Sequence, residues 1–153
     1  MTRRPHVDVQ NAKTRARGEY AEALSRIAAA GVCPFCEAHL ARHHPNPVLF
    51  RNEYWLATEN AYPYDGVRHQ WVIIFRDHVE SAAALPADAW AALGEAYQRL
   101  VQEYRVEGGT LVLRTGLTEF TGASVAHLHA QLISGHRRRP GSEPIRALVG
   151  YKA

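Results

Sequence analysis

The sequence predicts an α+β fold in which a mostly antiparallel sheet of about five strands carries helices on one side. Three observations predict this fold: two segments have the apolar spacing of amphipathic helices, several short runs have the composition of strands, and turn residues separate them. The chain has 153 residues, 46% of them hydrophobic and 22% charged, which is ordinary for one globular domain. Because no repeat or linker interrupts it, we expect residues 1–153 to form a single domain.

The two helical segments span residues 10–30 and 86–104. In the first, small and apolar side chains follow one face while Arg and Glu fill the other, and Gly31 is a plausible stop. This helix would be an N-terminal extension of a core over about residues 32–135. Residues 136–153 would then form a C-terminal tail.

Five segments have the composition of β-strands. They are Val48–Arg51, Tyr54–Thr58, Gln70–Arg76, Thr110–Arg114 and Val125–Ile133. The first two are joined by Arg51-Asn52-Glu53, which is typical of a hairpin turn. Trp55, Trp71 and Trp90 fall at positions that favour the core over a surface for stacking bases.

The last predicted strand carries the residues with the clearest chemical meaning. Side chains two positions apart on a strand point to the same face, so His127, His129 and Gln131 would project together while Leu128 and Ala130 pack inward. Such a row can grip a phosphoryl group, with one nitrogen attacking phosphorus and its neighbours binding oxygens or a metal. The alternative is a polar, solvent-facing side of an edge strand, since alternation by itself is common.

Both cysteines lie close together, in Cys33-Pro34-Phe35-Cys36. Two cysteines at this spacing commonly supply two of the four ligands of a zinc site, and histidines usually supply the others. His43 or His44, a few residues further on, could complete it locally. The pair could also be a redox dithiol, although it follows a helix and precedes a His-rich loop, which disfavours that interpretation.

The stretch His127-Leu128-His129-Ala130-Gln131 resembles the signature of the histidine triad (HIT) superfamily, His-x-His-x-His, with glutamine in place of the third histidine. His-x-His-x-Gln is the form of the branch that holds galactose-1-phosphate uridylyltransferase and the dinucleoside polyphosphate phosphorylases. Gly122-Ala123-Ser124 resembles that branch's phosphate loop. Asn60-Ala61-Tyr62-Pro63 and the strand ending at Asp77-His78 resemble further family segments. The resemblance implies a HIT-like fold with two main helices besides the N-terminal one.

The resemblance also implies a role for each matching residue. His129 would attack the α-phosphorus and hold a nucleotidyl-histidine, while Gln131 and Ser124 would bind the non-bridging oxygens. Asn60 and Tyr62 would contact the nucleoside, although core packing is an equal alternative for Tyr62.

Gly122 belongs to the implied phosphate loop, and Arg114 stands where family members commonly carry asparagine. Arg114 could supply a permanent positive charge for phosphate, or it could mark a different substrate. The implied ligands of a structural zinc ion are Cys33, Cys36, His78 and His127.

A glutamine amide binds phosphoryl oxygens but does not readily exchange protons near neutral pH. We therefore expect a nucleotidyltransferase or phosphorylase acting on a nucleoside di- or polyphosphate. The alternative within this fold is a hydrolase of dinucleoside polyphosphates or phosphoramidates. From another class, a zinc-containing nucleic-acid-binding module would need a clustered basic face, whereas the cations behind the net charge of +3 are mostly scattered.

The chain lacks the run of roughly 20 apolar residues that would span a membrane. We therefore expect a cytoplasmic protein that binds a nucleotide, with no membrane partner. The resemblance implies a homodimer, because family members usually extend their sheets side by side.

Overall fold

A computed structural model of the chain describes residues 5–15 and 18–153. Within these residues the helices are α1 (Val9–Ala12), α2 (Gly18–Ala30), α3 (Glu37–His43), α4 (Ala87–Glu103) and α5 (Thr118–Thr121). The strands are β1 (Val48–Arg51), β2 (Trp55–Glu59), β3 (His69–Phe75), β4 (Thr110–Arg114) and β5 (His129–Ser134). No helix in the described ranges is long and apolar enough to cross a bilayer.

The five strands form one antiparallel sheet in the order β1-β2-β3-β5-β4. This confirms the predicted α+β fold class. Strands β1 and β4 have the predicted bounds, while β2 and β3 each lie one residue from them. Strand β5 begins at His129, so the prediction of a strand from Val125 was wrong. Instead, Val125 bridges to Val7, and the Leu128 amide donates to the carbonyl oxygen of Val79 at 2.6 Å.

Helix α4 covers one face of the sheet. Its buried Leu93 and Leu100 pack on the large side chains of that face, including Trp55 and Trp71, which are both fully buried. The prediction that Trp90 lies in the core was wrong, because its side chain is 44% exposed on the outer side of α4.

The opposite face of the sheet is covered as well. There Leu40 of α3 packs with Leu56, Val72 and Ile74. Helices therefore lie on both sides of the sheet and not on one side as predicted. The sequence did not indicate α3, because a helix of only 7 residues has too few turns to show a clear apolar period.

The single helix predicted over residues 10–30 is interrupted. Helix α1 ends at Ala12 and α2 begins at Gly18, while residues 16 and 17 of the predicted helix lie outside the described residues. Helix α2 ends before Gly31, whose φ of 67° favours glycine, as expected. Val7, Ala12, Leu24 and Ile27 pack against Cys33 and Val125. This packing places the N-terminal segment beside the loop that leads into β5.

Candidate active site

Strand β5 sets the positions of His129 and Gln131. In the sheet register Arg114 of β4 lies opposite His129, and Val72 of β3 lies opposite Gln131. Since Val72 packs on the face away from α4, both side chains belong to that second face. His127 precedes the strand, so its position depends on the preceding loop and not on strand alternation.

The imidazole of His129 is held in one tautomer. Its Nδ1 lies 2.6 Å from the carbonyl oxygen of His127, which can only accept a hydrogen bond, so Nδ1 donates. Nε2 then keeps its lone pair. Burial lowers the pKa of His129 to about 4, with the positive charge of Arg114 acting in the same direction. Near neutral pH the ring is therefore uncharged.

The amide of Gln131 is oriented by a chain of hydrogen bonds. The backbone N–H of Tyr64 donates to Gln70 Oε1 at 2.7 Å, which fixes the amide group of Gln70. Gln70 Nε2 in turn donates to Gln131 Oε1 at 2.5 Å. The NH₂ group of Gln131 is thus left as a donor on a side chain that lines the pocket.

The pocket in front of His129 brings together the residues predicted for catalysis and nucleotide binding. Phe35 forms one wall, with its ring edge-on to the imidazole at 5.0 Å between centroids. The predicted residues in the pocket lining are Asn60, Tyr62, Arg114, Gly122, Ser124, His129 and Gln131. Their roles remain predictions, but their convergence on one cavity is a finding.

Several other residues that line this pocket were not predicted as site residues. Arg15 and Tyr20 come from the N-terminal segment, Tyr64 from the loop after β2, and Leu148 from the tail. Tyr20 is half-buried, and desolvation raises the pKa of its phenol, while Ser124 and the cations Arg15 and Arg114 act against that shift. Long-range packing brings these residues to the site, so no local pattern could have identified them.

A second cluster adjoins the pocket and can hold a metal ion. Its members are Cys33, Cys36, His78 and His127, whose candidate ligand atoms all lie within 4.8 Å of one another. The Nδ1 atom of His127 lies 3.3 Å from Cys33 Sγ and 3.8 Å from Cys36 Sγ. The Nδ1 atom of His78 lies 3.4 Å from Cys36 Sγ.

The other ring nitrogen of His127 is also placed as a metal site requires. Nε2 of His127 donates to the carbonyl oxygen of Phe75 at 2.6 Å, which leaves Nδ1 unprotonated toward the thiols. Nε2 of His78 lies 3.9 Å from a carboxylate oxygen of Glu80. The hydrogen bond to Phe75 orients the His127 imidazole, as outer partners of metal-binding histidines do, whereas the distance from His78 to Glu80 is too long for a hydrogen bond. Burial lowers the pKa of His127 to about 4, so the ring is neutral.

The local alternatives for this cluster do not fit the geometry. His44 Nε2 instead lies 2.9 Å from Thr58 Oγ1 and 3.0 Å from the carbonyl oxygen of Glu59, while His43 lines the pocket. A redox dithiol needs an accessible thiol with a lowered pKa. Cys33 is buried, and desolvation raises the pKa of its thiol to about 12. The two imidazole nitrogens that lie within 3.8 Å of the thiols favour a metal site over thiol exchange.

Neither a protein-family model nor a curated protein matches this sequence. Solved structures do match the fold. A histidine triad nucleotide-binding protein from Candida albicans superposes with a TM-score of 0.58 at 17% identity, covering 80% of this chain and 84% of that one. The chain has the histidine triad fold. A HIT family hydrolase from Clostridium thermocellum gives a TM-score of 0.53 at 20% identity, covering 71% of this chain and 94% of that one.

A zinc-bound histidine triad family protein from Mycobacterium smegmatis shares the histidine triad fold as well. Its TM-score is 0.54 at 18% identity, covering 75% of this chain and 82% of the other. At these identities the likeness establishes the fold alone. The chemistry of this chain follows from its own residues.

Proposed function

We propose that this protein is an enzyme that transfers a nucleoside monophosphate through a covalent intermediate on His129. The observation that carries the proposal is the contact between His129 Nδ1 and the His127 carbonyl oxygen, which leaves Nε2 as the nucleophilic atom in a pocket. Of two proteins with the same fold, the nucleotide-binding protein supports a nucleotide substrate, and the hydrolase supports the second candidate given below.

In the first half-reaction Nε2 of His129 forms a bond to the α-phosphorus of the substrate. The bond from that phosphorus to the bridging oxygen breaks, and the oxygen leaves with the electron pair as part of a phosphate group. The NH₂ group of Gln131, the Ser124 hydroxyl and the Arg114 guanidinium would bind the non-bridging oxygens, where negative charge grows in the transition state. The product on the protein is a nucleotidyl-histidine.

In the second half-reaction an oxygen of the acceptor attacks the same phosphorus. The bond between phosphorus and Nε2 breaks, and the electron pair returns to the imidazole. Inorganic phosphate is already ionised and gives a nucleoside diphosphate, whereas water must also lose a proton. Since Gln131 is a poor proton acceptor, phosphate or a phosphorylated molecule is the better acceptor. Hydrolysis of dinucleoside polyphosphates or phosphoramidates is the second candidate.

We further propose that Cys33, Cys36, His78 and His127 hold a structural zinc ion. Tetrahedral zinc separates adjacent sulfur and nitrogen ligands by about 3.5 Å, as bond lengths of about 2.3 and 2.0 Å require. The sulfur to nitrogen distances of 3.3, 3.4 and 3.8 Å bracket that value. Four protein ligands leave no position for water, so the ion would cross-link the cysteine turn to the loop before β5 without entering the chemistry.

We also propose that the chain is a single domain and that two copies form a homodimer. Strand β4 is one edge of the sheet, and its Leu111 is 40% exposed. An edge strand offers unpaired backbone groups to the matching strand of a second copy.

Cleavage of diadenosine tetraphosphate with and without inorganic phosphate tests the proposed reaction. Transfer predicts that cleavage depends on phosphate and yields adenosine diphosphate. Release of adenosine monophosphate at the same rate without phosphate would establish the hydrolase instead. No cleavage of this or of nucleoside phosphoramidates would leave the nucleic-acid-binding alternative, for which steep salt dependence of RNA or DNA binding is the marker.

A further inference from the structure

Two arginines reach the candidate pocket, and neither has an acidic partner there. Arg15 and Arg114 both line the pocket, whereas no aspartate or glutamate belongs to its described lining. Within the described part of the chain no salt bridge links either arginine to a carboxylate, although Glu19 and Asp65 line a neighbouring cavity together with Arg15. Arg15 donates to the carbonyl oxygen of Tyr62 at 2.5 Å, and Arg114 donates to Leu148 and Thr121 carbonyl oxygens at 2.6 and 3.1 Å.

Tyr64 lies between the two guanidinium groups. Its hydroxyl accepts from Arg114 Nη2 at 3.3 Å, and its ring lies 4.1 Å below the guanidinium carbon of Arg15. Two cations thus contact one phenol, Arg15 at the face of its ring and Arg114 at its hydroxyl. Like charges held on one side chain in a partly buried site repel, and an anion bound between or beside them offsets that repulsion. Each guanidinium has five N–H groups, so each retains donors for a ligand.

The position of Arg15 is fixed by the packing of the N-terminal segment. The amide of Asn11, which is 3% exposed, donates to the carbonyl oxygens of Thr118 and Ala123 at 2.9 and 2.8 Å. Its oxygen accepts from the Tyr151 hydroxyl. The segment is therefore attached to the loop before β5 on one side and to the tail on the other. Arg15 lies three residues beyond the end of α1, and its backbone N–H donates to the carbonyl oxygen of Ala12 at 3.1 Å, which ties it to the anchored segment.

We propose that Arg15 binds the phosphate adjacent to the one that His129 attacks, so that the site selects substrates joined through a phosphoanhydride. Arg114 lies opposite His129 in the sheet and so serves the attacked phosphate. Arg15 lies over the ring of Tyr64, whose hydroxyl contacts Arg114, and so serves the neighbouring phosphate. Adjacent phosphates match a pair of neighbouring guanidinium groups, which bind phosphate oxygens bidentately. A monophosphate ester, or a phosphoramidate with an amine leaving group, has no adjacent phosphate for Arg15 to bind. The inference rests on the proposed function, because that function defines the attacked phosphate.

Binding measurements with unreactive ligands test this role apart from catalysis. Dissociation constants for adenosine monophosphate and α,β-methylene adenosine diphosphate, with the uridine pair in parallel, are measured by calorimetry on the full chain. The variants are Arg15→Ala, Arg15→Lys and Arg26→Ala, the last replacing an exposed arginine on α2 as a matched control. Unfolding temperature and metal content verify that each variant folds.

The wild type should bind the diphosphate more tightly than the monophosphate. Arg15→Ala should weaken binding of the diphosphate about 10- to 100-fold and binding of the monophosphate less than threefold. The larger effect corresponds to the usual contribution of charge-assisted hydrogen bonds. Arg15→Lys should retain part of the preference for the diphosphate over the monophosphate, and Arg26→Ala should retain the full preference. Equal weakening of both ligands in Arg15→Ala, or no weakening of either, would overturn the inference. Discrimination in binding without any nucleotidyl transfer would instead contradict the proposed function and leave the Arg15 assignment standing.

Discussion

His127 and His129 are linked by a hydrogen bond from the ring of one to the backbone of the other, with 2.6 Å between His129 Nδ1 and the His127 carbonyl oxygen. The same His127 places its own Nδ1 within 3.3 Å of Cys33 Sγ, inside the candidate metal cluster. The residue that orients the proposed nucleophile is therefore also a proposed metal ligand. Loss of the metal site should therefore also disturb the orientation of His129 in the pocket.

Replacement of His129 by glycine should reduce nucleotidyl transfer at least about a thousandfold, since the nucleophile is lost. Exogenous imidazole should restore part of the rate by occupying the space of the ring and attacking phosphorus itself. The measurement is steady-state turnover of diadenosine tetraphosphate with and without imidazole. Unfolding temperature and metal content should stay close to the wild-type values, and full activity in the variant would rule His129 out.

Removal of a metal ligand should remove the ion and destabilise the fold. Cys36→Ser should lower zinc from one ion per chain to near zero and the unfolding temperature by about 10 °C, because several kcal/mol of binding energy are lost. Turnover should fall with it, since His127 also orients His129. Elemental analysis and calorimetry provide the measurements. His44→Ala is the control and should retain its zinc, whereas zinc loss there would assign the fourth ligand to His44.

Replacement of Gln131 by histidine should shift the reaction from transfer toward hydrolysis. A titratable group beside the reacting phosphorus can take the proton of water, so the hydrolysed fraction should rise at least about tenfold. The fraction is measured as the ratio of nucleoside monophosphate to diphosphate at fixed phosphate concentration. Gln70→Leu removes the donor that orients Gln131 and should lower both reactions about equally, by roughly 2- to 10-fold. An unchanged product ratio in Gln131→His would contradict the role assigned to the amide.

Gly122 should not tolerate a side chain. Its φ is 71°, and an added Cβ would lie 2.4 Å from Leu148 Cγ, which lines the pocket. Gly122→Ala should therefore cost about 1 to 2 kcal/mol of the free energy of unfolding and displace the tail. Gly94→Ala is the matched control, because Gly94 lies inside α4 with open space around its Cβ position. That variant should be more stable than wild type by about 0.5 to 1 kcal/mol, and equal effects on thermal unfolding at the two positions would contradict this prediction.

Strand composition and turn residues were sufficient to predict the sheet. Residues 48–51 and 110–114 follow local rules closely, and the apolar period of 86–104 is long enough to define a helix. Val125 was included in β5 because the alternation extends to it, yet its backbone pairs with Val7, a partner 118 positions away. No local pattern reports such a contact.

The spacing of neighbouring residues predicted one part of the candidate site, and the family resemblance predicted the distant Asn60, Tyr62, Arg114 and His78. His129, Gln131 and Ser124 lie within eight positions of one another, and the CxxC spacing indicated metal binding. Arg15 and Tyr20 were missed because their place in the pocket depends on the break between α1 and α2. A continuous helix over 10–30 would have carried them elsewhere.

The central claim is that His129 Nε2 becomes covalently nucleotidylated. The direct measurement is mass spectrometry of the enzyme mixed with diadenosine tetraphosphate in the absence of phosphate and quenched at alkaline pH, where phosphorus–nitrogen bonds survive. We predict a single adenylyl group on the peptide that contains His129, lost on adding phosphate and never formed in His129→Gly. Turnover without any such adduct, or an adduct on another residue, would contradict the mechanism.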